Sequence, residues 1–264
     1  MEILYRWANN QADRLPALVA DLLRNQVAVI VTSGGSIPPR IAKAASSSVP
    51  IVFVVGLDPV AAGLVTSFNR PGGNATGVYM LTGELNAKRL GLLHEVVPRA
   101  QTIAVLVNPT GAAAPSIEAE VRGAAAATGV KTLVVHAGTE RDIDAAFALL
   151  ADKRIGALVV GNDPYFNSRR EQLVALATRH ALPAIFEWRE FALSGGLKSY
   201  GTARAGAHRQ LGAHLARILK GAKPADLPVI EPTRFELVIN RKTAKALGLS
   251  IPQSVLQRAD EVIE

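Results

Sequence analysis

The sequence predicts an α/β fold of two doubly wound parallel-sheet lobes with a ligand cleft, and three observations predict it. Short runs rich in Val and Ile recur along the chain. They are continuously apolar rather than alternating. Longer Ala/Leu/Arg segments with helical period separate them. Continuous apolar strands joined by helical crossovers mean a parallel sheet covered on both faces.

Taken in order, the first helical segment is residues 15–24 (LPALVADLLR), with a Pro near its start, where the missing N–H costs nothing. The run 27–31 (VAVIV) reads as a strand, and Pro38 opens a helix over 37–45. Residues 51–55 (IVFVV) form the next strand, and 86–96 a helix. From there strand and helix alternate: 103–107 (IAVLV), 116–128, 132–135 (TLVV), 143–152, 157–160 (ALVV), 169–180 and 184–186 (AIF). Three stretches read as crossings between lobes: 97–101 (VPRAQ), 195–201 (GGLKSYG) and 221–228 (GAKPADLP). They divide the chain into an N-terminal lobe of 1–98 with a return segment 202–226, and a C-terminal lobe of 99–201 with 227–264.

Composition narrows the function. With 264 residues and 49% apolar content there is material for two cores. No apolar run reaches the ~20 residues of a membrane span, and MEILYRWANN lacks the basic-then-apolar layout of a secretory signal. Cysteine is absent, which removes disulfides, thiolate nucleophiles and Cys-based metal sites. The formal charge of +7 is scattered over helical segments in runs no longer than two. That pattern reads as solvated helix faces; a nucleic-acid groove calls for clustered basic residues among exposed aromatics.

Each strand is followed by a loop of similar chemistry. Thr32-Ser33-Gly34-Gly35-Ser36 follows the first, Gly56-Leu57-Asp58-Pro59 the second, and Asn108-Pro109-Thr110-Gly111 the third. Gly161-Asn162-Asp163-Pro164 and Glu187-Trp188-Arg189 follow two later ones. In an open parallel sheet the strand carboxyl ends share one edge, and ligands bind outside it. Helix N-termini there offer N–H groups to a carboxylate or phosphate. Helix capping explains each loop taken alone; five along one edge indicate a binding site.

Aromatic residues add to this. Of the 13 in the chain, six fall between 165 and 200: Tyr165, Phe166, Phe186, Trp188, Phe191 and Tyr200. Phe186 and Phe191 read as core. Tyr165, Trp188 and Tyr200 sit beside loops or a crossing, where rings can wall a pocket. Enzyme signatures are thin. There is no Gly-x-Gly-x-x-Gly after the first strand, no phosphate-binding Gly-Lys-Ser/Thr, no Gly-x-Ser-x-Gly and no His-Glu-x-x-His. The five histidines lack metal-ligand spacing, and His136, just past a strand, is the one placed to line a cleft. Asp58 and Asp163 each precede a Pro and read as turn residues rather than an acid–base pair. No cofactor and no metal is expected.

Several strings carry a family resemblance: residues 235–264 (FELVINRKTAKALGLSIPQSVLQRADEVIE), 219–228 (LKGAKPADLP) and 189–201 (REFALSGGLKSYG). Residues 57–78 (LDPVAAGLVTSFNRPGGNATGV) and 84–98 (ELNAKRLGLLHEVVP) carry it too. Over essentially its whole length the chain resembles the ABC-transporter substrate-binding proteins of the tryptophan/tyrosine type. The resemblance implies a type I periplasmic binding fold, a non-enzymatic receptor that closes on a small molecule, and delivery to a membrane permease. It also implies a periplasmic location, although this chain carries no signal peptide. By position the ligand loops correspond to Ser33, Gly34 and Gly35, then Asp58 to Val60, Tyr79, and Asn108, Pro109 and Thr110. Asn162, Asp163, Tyr165, Trp188 and Tyr200 complete the set. In this reading backbone N–H groups of Ser33–Gly35 hold a carboxylate. Asn162 and Asp163 meet a polar head, with Asp163 taking an ammonium, and Tyr165 stacks on an apolar body.

One departure stands out against the family pattern. The first strand–helix unit of the N-terminal lobe is missing, and the chain opens at the following strand, residues 3–6. The missing strand belongs between residues 3–7 and 27–31. Its absence leaves unpaired backbone edges, and a homodimer through the incomplete lobe is one way to cover them. The rival reading is an intracellular two-domain α/β enzyme acting on a nucleotide or sugar. Its phosphate loop would have to be Ser33-Gly34-Gly35-Ser36.

Overall fold

The structure is a computed structural model that describes residues 2–82 and 85–264. The chain forms two compact units, one of Met1–Leu81 with Ala203–Arg234 and one of Thr82–Thr202 with Phe235–Glu264. The crossings therefore lie at 81/82, 202/203 and 234/235, not at 98, 201 and 226. The first shift has a clear cause. Residues 86–96 form a helix whose buried side chains, among them Leu90, Leu92, Leu93 and Val96, pack on the second unit.

The first unit is a three-stranded parallel sheet ordered β1 (Ile30–Thr32), β2 (Ile51–Val55), β3 (Ala75–Tyr79). Ile30 pairs with Ile51, which pairs with Ala75. All five β2 residues are buried, as continuous β-branched runs in a two-face-covered strand should be. Helices α1 (Leu15–Arg24) and α2 (Ile37–Ala45) pack on each other, and α2 packs on β1 and β2. The return helix α9 (Arg204–Leu219) packs against β2 and β3 through Ala207, Leu211, His214 and Ile218, one helical stripe. Ile230 then lies along the outer edge of β3: its N–H donates to Gly77 O, and its carbonyl accepts from Tyr79 N–H.

The strand expected at residues 3–6 does not form among the described residues. A strand needs a hydrogen-bonded neighbour, and β1 bonds only β2. Residues 2–7 are instead exposed, apart from the half-buried Leu4. The Tyr5 and Trp7 rings stack 6.0 Å apart, and Arg6 is tied to Asp21 of α1 at 2.5 Å. Val31 on β1 is 46% exposed.

The second unit holds β4 (Thr102–Val107), β5 (Lys131–His136), β6 (Ala157–Val160), β7 (Ala184–Phe186), β8 (Lys198–Thr202), β9 (Phe235–Asn240) and β10 (Glu261–Ile263). Their order across the sheet is β10-β9-β8-β7-β6-β4-β5. Pairing is parallel throughout except between β8 and β9. Helices α3 (Asn86–Val96) and α4 (Ala114–Thr128) pack together; α3 lies on β6 and β7, α4 on β4 and β5. Helix α5 (Glu140–Asp152) packs on β5 and on α7 (Arg170–Arg179). The short helices α6 (Pro164–Ser168) and α8 (Arg189–Leu193) follow β6 and β7, and α10 (Arg241–Ala246) and α11 (Gln253–Leu256) complete the unit. Helix α5 starts at a reciprocal cap: Thr139 Oγ1 accepts from Asp142 N–H, and Asp142 Oδ2 from Thr139 N–H.

Candidate functional site

The order of the second sheet marks a candidate ligand edge. The strand β4 has β5 on one side and β6 on the other, so the chain leaves β4 toward β5 and leaves β6 in the opposite direction, toward β7. Loops at such a switch part and open a crevice at the strand carboxyl ends. The loop after β4 is Asn108–Gly111, and the loop after β6 is Gly161–Asp163. They are joined directly: Asn108 Nδ2 donates to Asp163 Oδ1 at 3.0 Å.

Each group at this edge is held by short-range chemistry. Asn108 Oδ1 accepts from Thr110 N–H (3.1 Å) and from Thr110 Oγ1 (2.9 Å), so the side chain closes its own turn. Asp163 caps α6: its Oδ1 also accepts from Tyr165 N–H at 2.8 Å. Burial pushes the Asp163 carboxyl up, while the donors from Asn108, Tyr165 and Phe166 pull it back. Gly111 has a steric reason: a Cβ there would lie 2.3 Å from Asp163 Oδ2. Asn162 and Asp163 are each 7% exposed. Tyr165 is half-buried, with the Arg169 guanidinium 5.6 Å from its ring centre.

Beneath this edge lies a network that sequence reading missed. Asn86, the first residue of α3, donates from Nδ2 to Asn162 Oδ1 (3.2 Å) and to Glu120 Oε2 (3.3 Å). Arg89, one turn on and fully buried, donates from Nη1 to Asn86 Oδ1 (3.0 Å) and from Nε to Tyr200 O (2.8 Å). Arg89 Nη2 has no partner among the described residues. Burial lowers the Arg89 pKa, opposed by the Glu187 and Glu120 carboxylates; burial also raises that of Glu120. A polar stripe inside ELNAKRLGLL was the available signal, since Asn and Arg stand on the same helical face as Leu90 and Leu93.

The remaining sequence-derived positions fall into distinct places. His136 ends β5 level with Val107, but it is exposed and bonded to Glu118 of α4 at 2.9 Å. Trp188 is buried at the start of α8. Tyr200 is half-buried on β8, stacked on Phe235 with ring centres 6.2 Å apart. Burial raises its phenol pKa. Phe186 and Phe191 stack in the core at 4.6 Å. Pro109 lies in the exposed turn after Asn108.

In the first unit, Ser33 and Gly34 are exposed and Gly35 half-buried in the loop from β1 to α2. Gly34 and Gly35 have φ of +93° and +100°, which only glycine adopts without strain. Pro38 and Pro39 remove two of the first N–H groups of α2, so the loop's own amides are the donors left for an anion. Asp58 Oδ1 accepts from the Val60 N–H (2.7 Å) and Ala61 N–H (3.2 Å), a turn, with Val60 exposed. Tyr79 ends β3 level with Val55 and is 3% exposed, in the core with its ring 5.8 Å from Phe68.

No helix among the described residues is long and apolar enough to cross a membrane. A tyrosine-binding protein of Clostridioides difficile (strain R20291) is 27% identical over 207 residues, 78% of this chain. The chain spans 59% of that protein's length. A conserved domain protein from Vibrio cholerae superposes with a TM-score of 0.90 at 27% identity, over 99% of this chain and 87% of the other. The ABC domain from Streptococcus pneumonia in complex with L-Trp gives 0.88 at 24% identity, covering 100% and 90%. The sequence also matches the family described as ABC transporter substrate binding protein over residues 1–263. The chain therefore belongs to the family of ABC transporter substrate binding proteins, and its sheets have the parallel order of the type I periplasmic binding fold.

Proposed function

We propose that this chain is a solute receptor of an ABC importer. It binds an aromatic amino acid or a related carboxylate at the strand carboxyl ends, outside the cytoplasmic membrane, and hands it unchanged to a membrane permease. The observation that carries this is the Asn108–Asp163 bond across the switch between β4 and β6. It rigidifies two loops beside the half-buried ring of Tyr165, a polar anchor next to an aromatic wall. The tyrosine-binding relative supports the ligand class. The polar groups at this edge are spent on positioning one another, which suits gripping a guest better than transferring its protons.

The experiment is a thermal-shift titration with L-tyrosine and L-tryptophan, with the ligand assayed afterwards. Binding raises the melting temperature with concentration, by about 2.7 kcal/mol of added stability at a hundredfold excess over Kd, and leaves the ligand intact. Consumption of a nucleotide or sugar with no response to either amino acid would favour the rival enzyme reading.

The reading extends to a partner copy. Each copy has one extended exposed segment, with Ile3, Tyr5 and Trp7 on one face, and one strand edge on β1 beside the exposed Val31. Donor and acceptor in the same chain make a reciprocal, closed two-fold pairing. Light scattering should report a dimer at micromolar concentration that Val31→Lys dissociates. A monomer at all concentrations removes this part of the proposal.

A further inference from the structure

We infer that Arg89 and Asn86 set the hydrogen-bonding direction of Asn162, so that this side chain meets the ligand as a donor. Its partner is then an acceptor such as a carboxylate, not an ammonium. The argument follows proton direction along three buried side chains. A guanidinium only donates. Arg89 Nη1, 3.0 Å from the Asn86 side chain, therefore requires the Asn86 oxygen to face it. The Asn86 amide nitrogen must then point the other way, toward Glu120 Oε2 at 3.3 Å and the Asn162 side chain at 3.2 Å. The Glu120 carboxylate accepts and so enforces the same orientation; it also takes the Asn86 backbone N–H at 3.2 Å. A donor facing Asn162 requires the Asn162 oxygen to turn inward. Its NH2 group is left without a protein partner among the described residues.

An amide can flip, so its orientation is a property of its neighbours. Here Arg89 at one end admits a single answer, and burial of Arg89 and Asn86 at 0% exposure keeps water from offering another. The neighbouring carboxylate is engaged within the loops: Asp163 Oδ1 accepts from Asn108 and from Tyr165 N–H, and Oδ2 lies against Gly111, where an added Cβ would stand 2.3 Å from it. Asn86 and Arg89 are thus positioning residues, and Asn162 determines specificity.

This inference rests on the binding reading above, and the test separates the two. Calorimetry compares L-tryptophan, indole-3-propionate (carboxylate without amine) and tryptamine (amine without carboxylate). The wild-type chain should bind L-tryptophan and indole-3-propionate, with tryptamine weaker by about 10- to 100-fold, the range of one hydrogen bond to a charged group. Asn162→Asp should weaken the two carboxylates by a similar factor while leaving tryptamine unchanged or tighter. Asn86→Leu frees the Asn162 amide to flip and should shrink the ratio of indole-3-propionate to tryptamine affinity. Where Asn86→Leu fails to fold, Arg89→Lys supplies the same ratio, since a lysine cannot span both Tyr200 O and Asn86 Oδ1. Loss of fold stability alone would lower all three affinities together. If L-tryptophan binds but tryptamine matches indole-3-propionate, or Asn162→Asp spares the carboxylates, the inference is overturned and the binding reading stands. If none of the three binds, the inference falls, and the binding reading falls with it when L-tyrosine fails to bind as well.

Discussion

Lys198 shows what a single buried charge does to this chain. It is fully buried on β8 and donates from Nζ to Leu92 O at 2.8 Å, the carbonyl end of α3. Burial lowers its pKa to about 8, with Glu95 opposing and Arg258 assisting. Between pH 8 and 10.5 the folded chain binds fewer protons than the unfolded one, so this group makes stability rise with pH in that window. Lys198→Met removes the dependence. The melting-temperature gain of the variant over wild type should be largest near pH 7, reflecting roughly 3 kcal/mol, and shrink toward pH 10.5. A gain constant with pH contradicts the assignment. Gly111→Ala probes the loop edge: the added Cβ would lie 2.3 Å from Asp163 Oδ2, so destabilisation of about 1–3 kcal/mol is expected, with weakened ligand binding. At this scale the loop positions of Asn108, Asn162 and Asp163 were legible because polar residues ending an apolar run stand out; their contact with a ligand is the proposal. Arg89 and Lys198 were not. Charged residues on amphipathic elements ordinarily face water, and nothing local shows that a carbonyl waits for them inside.

Elements with strong periodicity were read to the residue: α1, α2, α3, β2, β6 and β7 have the bounds their patterns predict. Others needed tertiary information. β8 (KSYGT) carries Lys, Ser and Thr yet is largely buried, because β7 and β9 flank it and α8 covers it. β3 (ATGVY) is short and holds Gly77, where a Cβ would lie 2.1 Å from Phe53 O; close approach of β2 demands that glycine. The segment at residues 3–6 has strand composition but no neighbour to bond, so propensity alone did not make it a strand. Caps give this scale its prediction. Thr139→Ala breaks the reciprocal cap of α5 and should cost about 1 kcal/mol in chemical denaturation. The same change at the exposed Thr233, which no helix uses, should cost within about 0.5 kcal/mol. Equal losses at both would refute the capping account.

For the whole molecule, alternating strands and helices pointed to two units, but of the three stretches read as crossings only 195–201 adjoins one; 97–101 lies inside the second unit and 221–228 inside the first. The first crossing was misread because a Pro after α3 looks like a boundary, and the third because 221–228 is rich in Gly and Pro although the chain stays with β3 through Ile230. Only the packing of α3 on β6 and β7 assigns that helix to the second unit. Family membership rests on the full-length match, whereas the proposed ligand edge rests on strand order, which no local pattern reveals. The most direct test of that edge is calorimetry of L-tyrosine and L-tryptophan against the wild-type chain and Asn108→Ala. The account predicts stoichiometric binding without turnover of at least one amino acid. It also predicts a loss of about 10-fold or more in Asn108→Ala, which removes the Asp163 donor and unties the two loops. Unchanged affinity in a folded Asn108→Ala chain would contradict it.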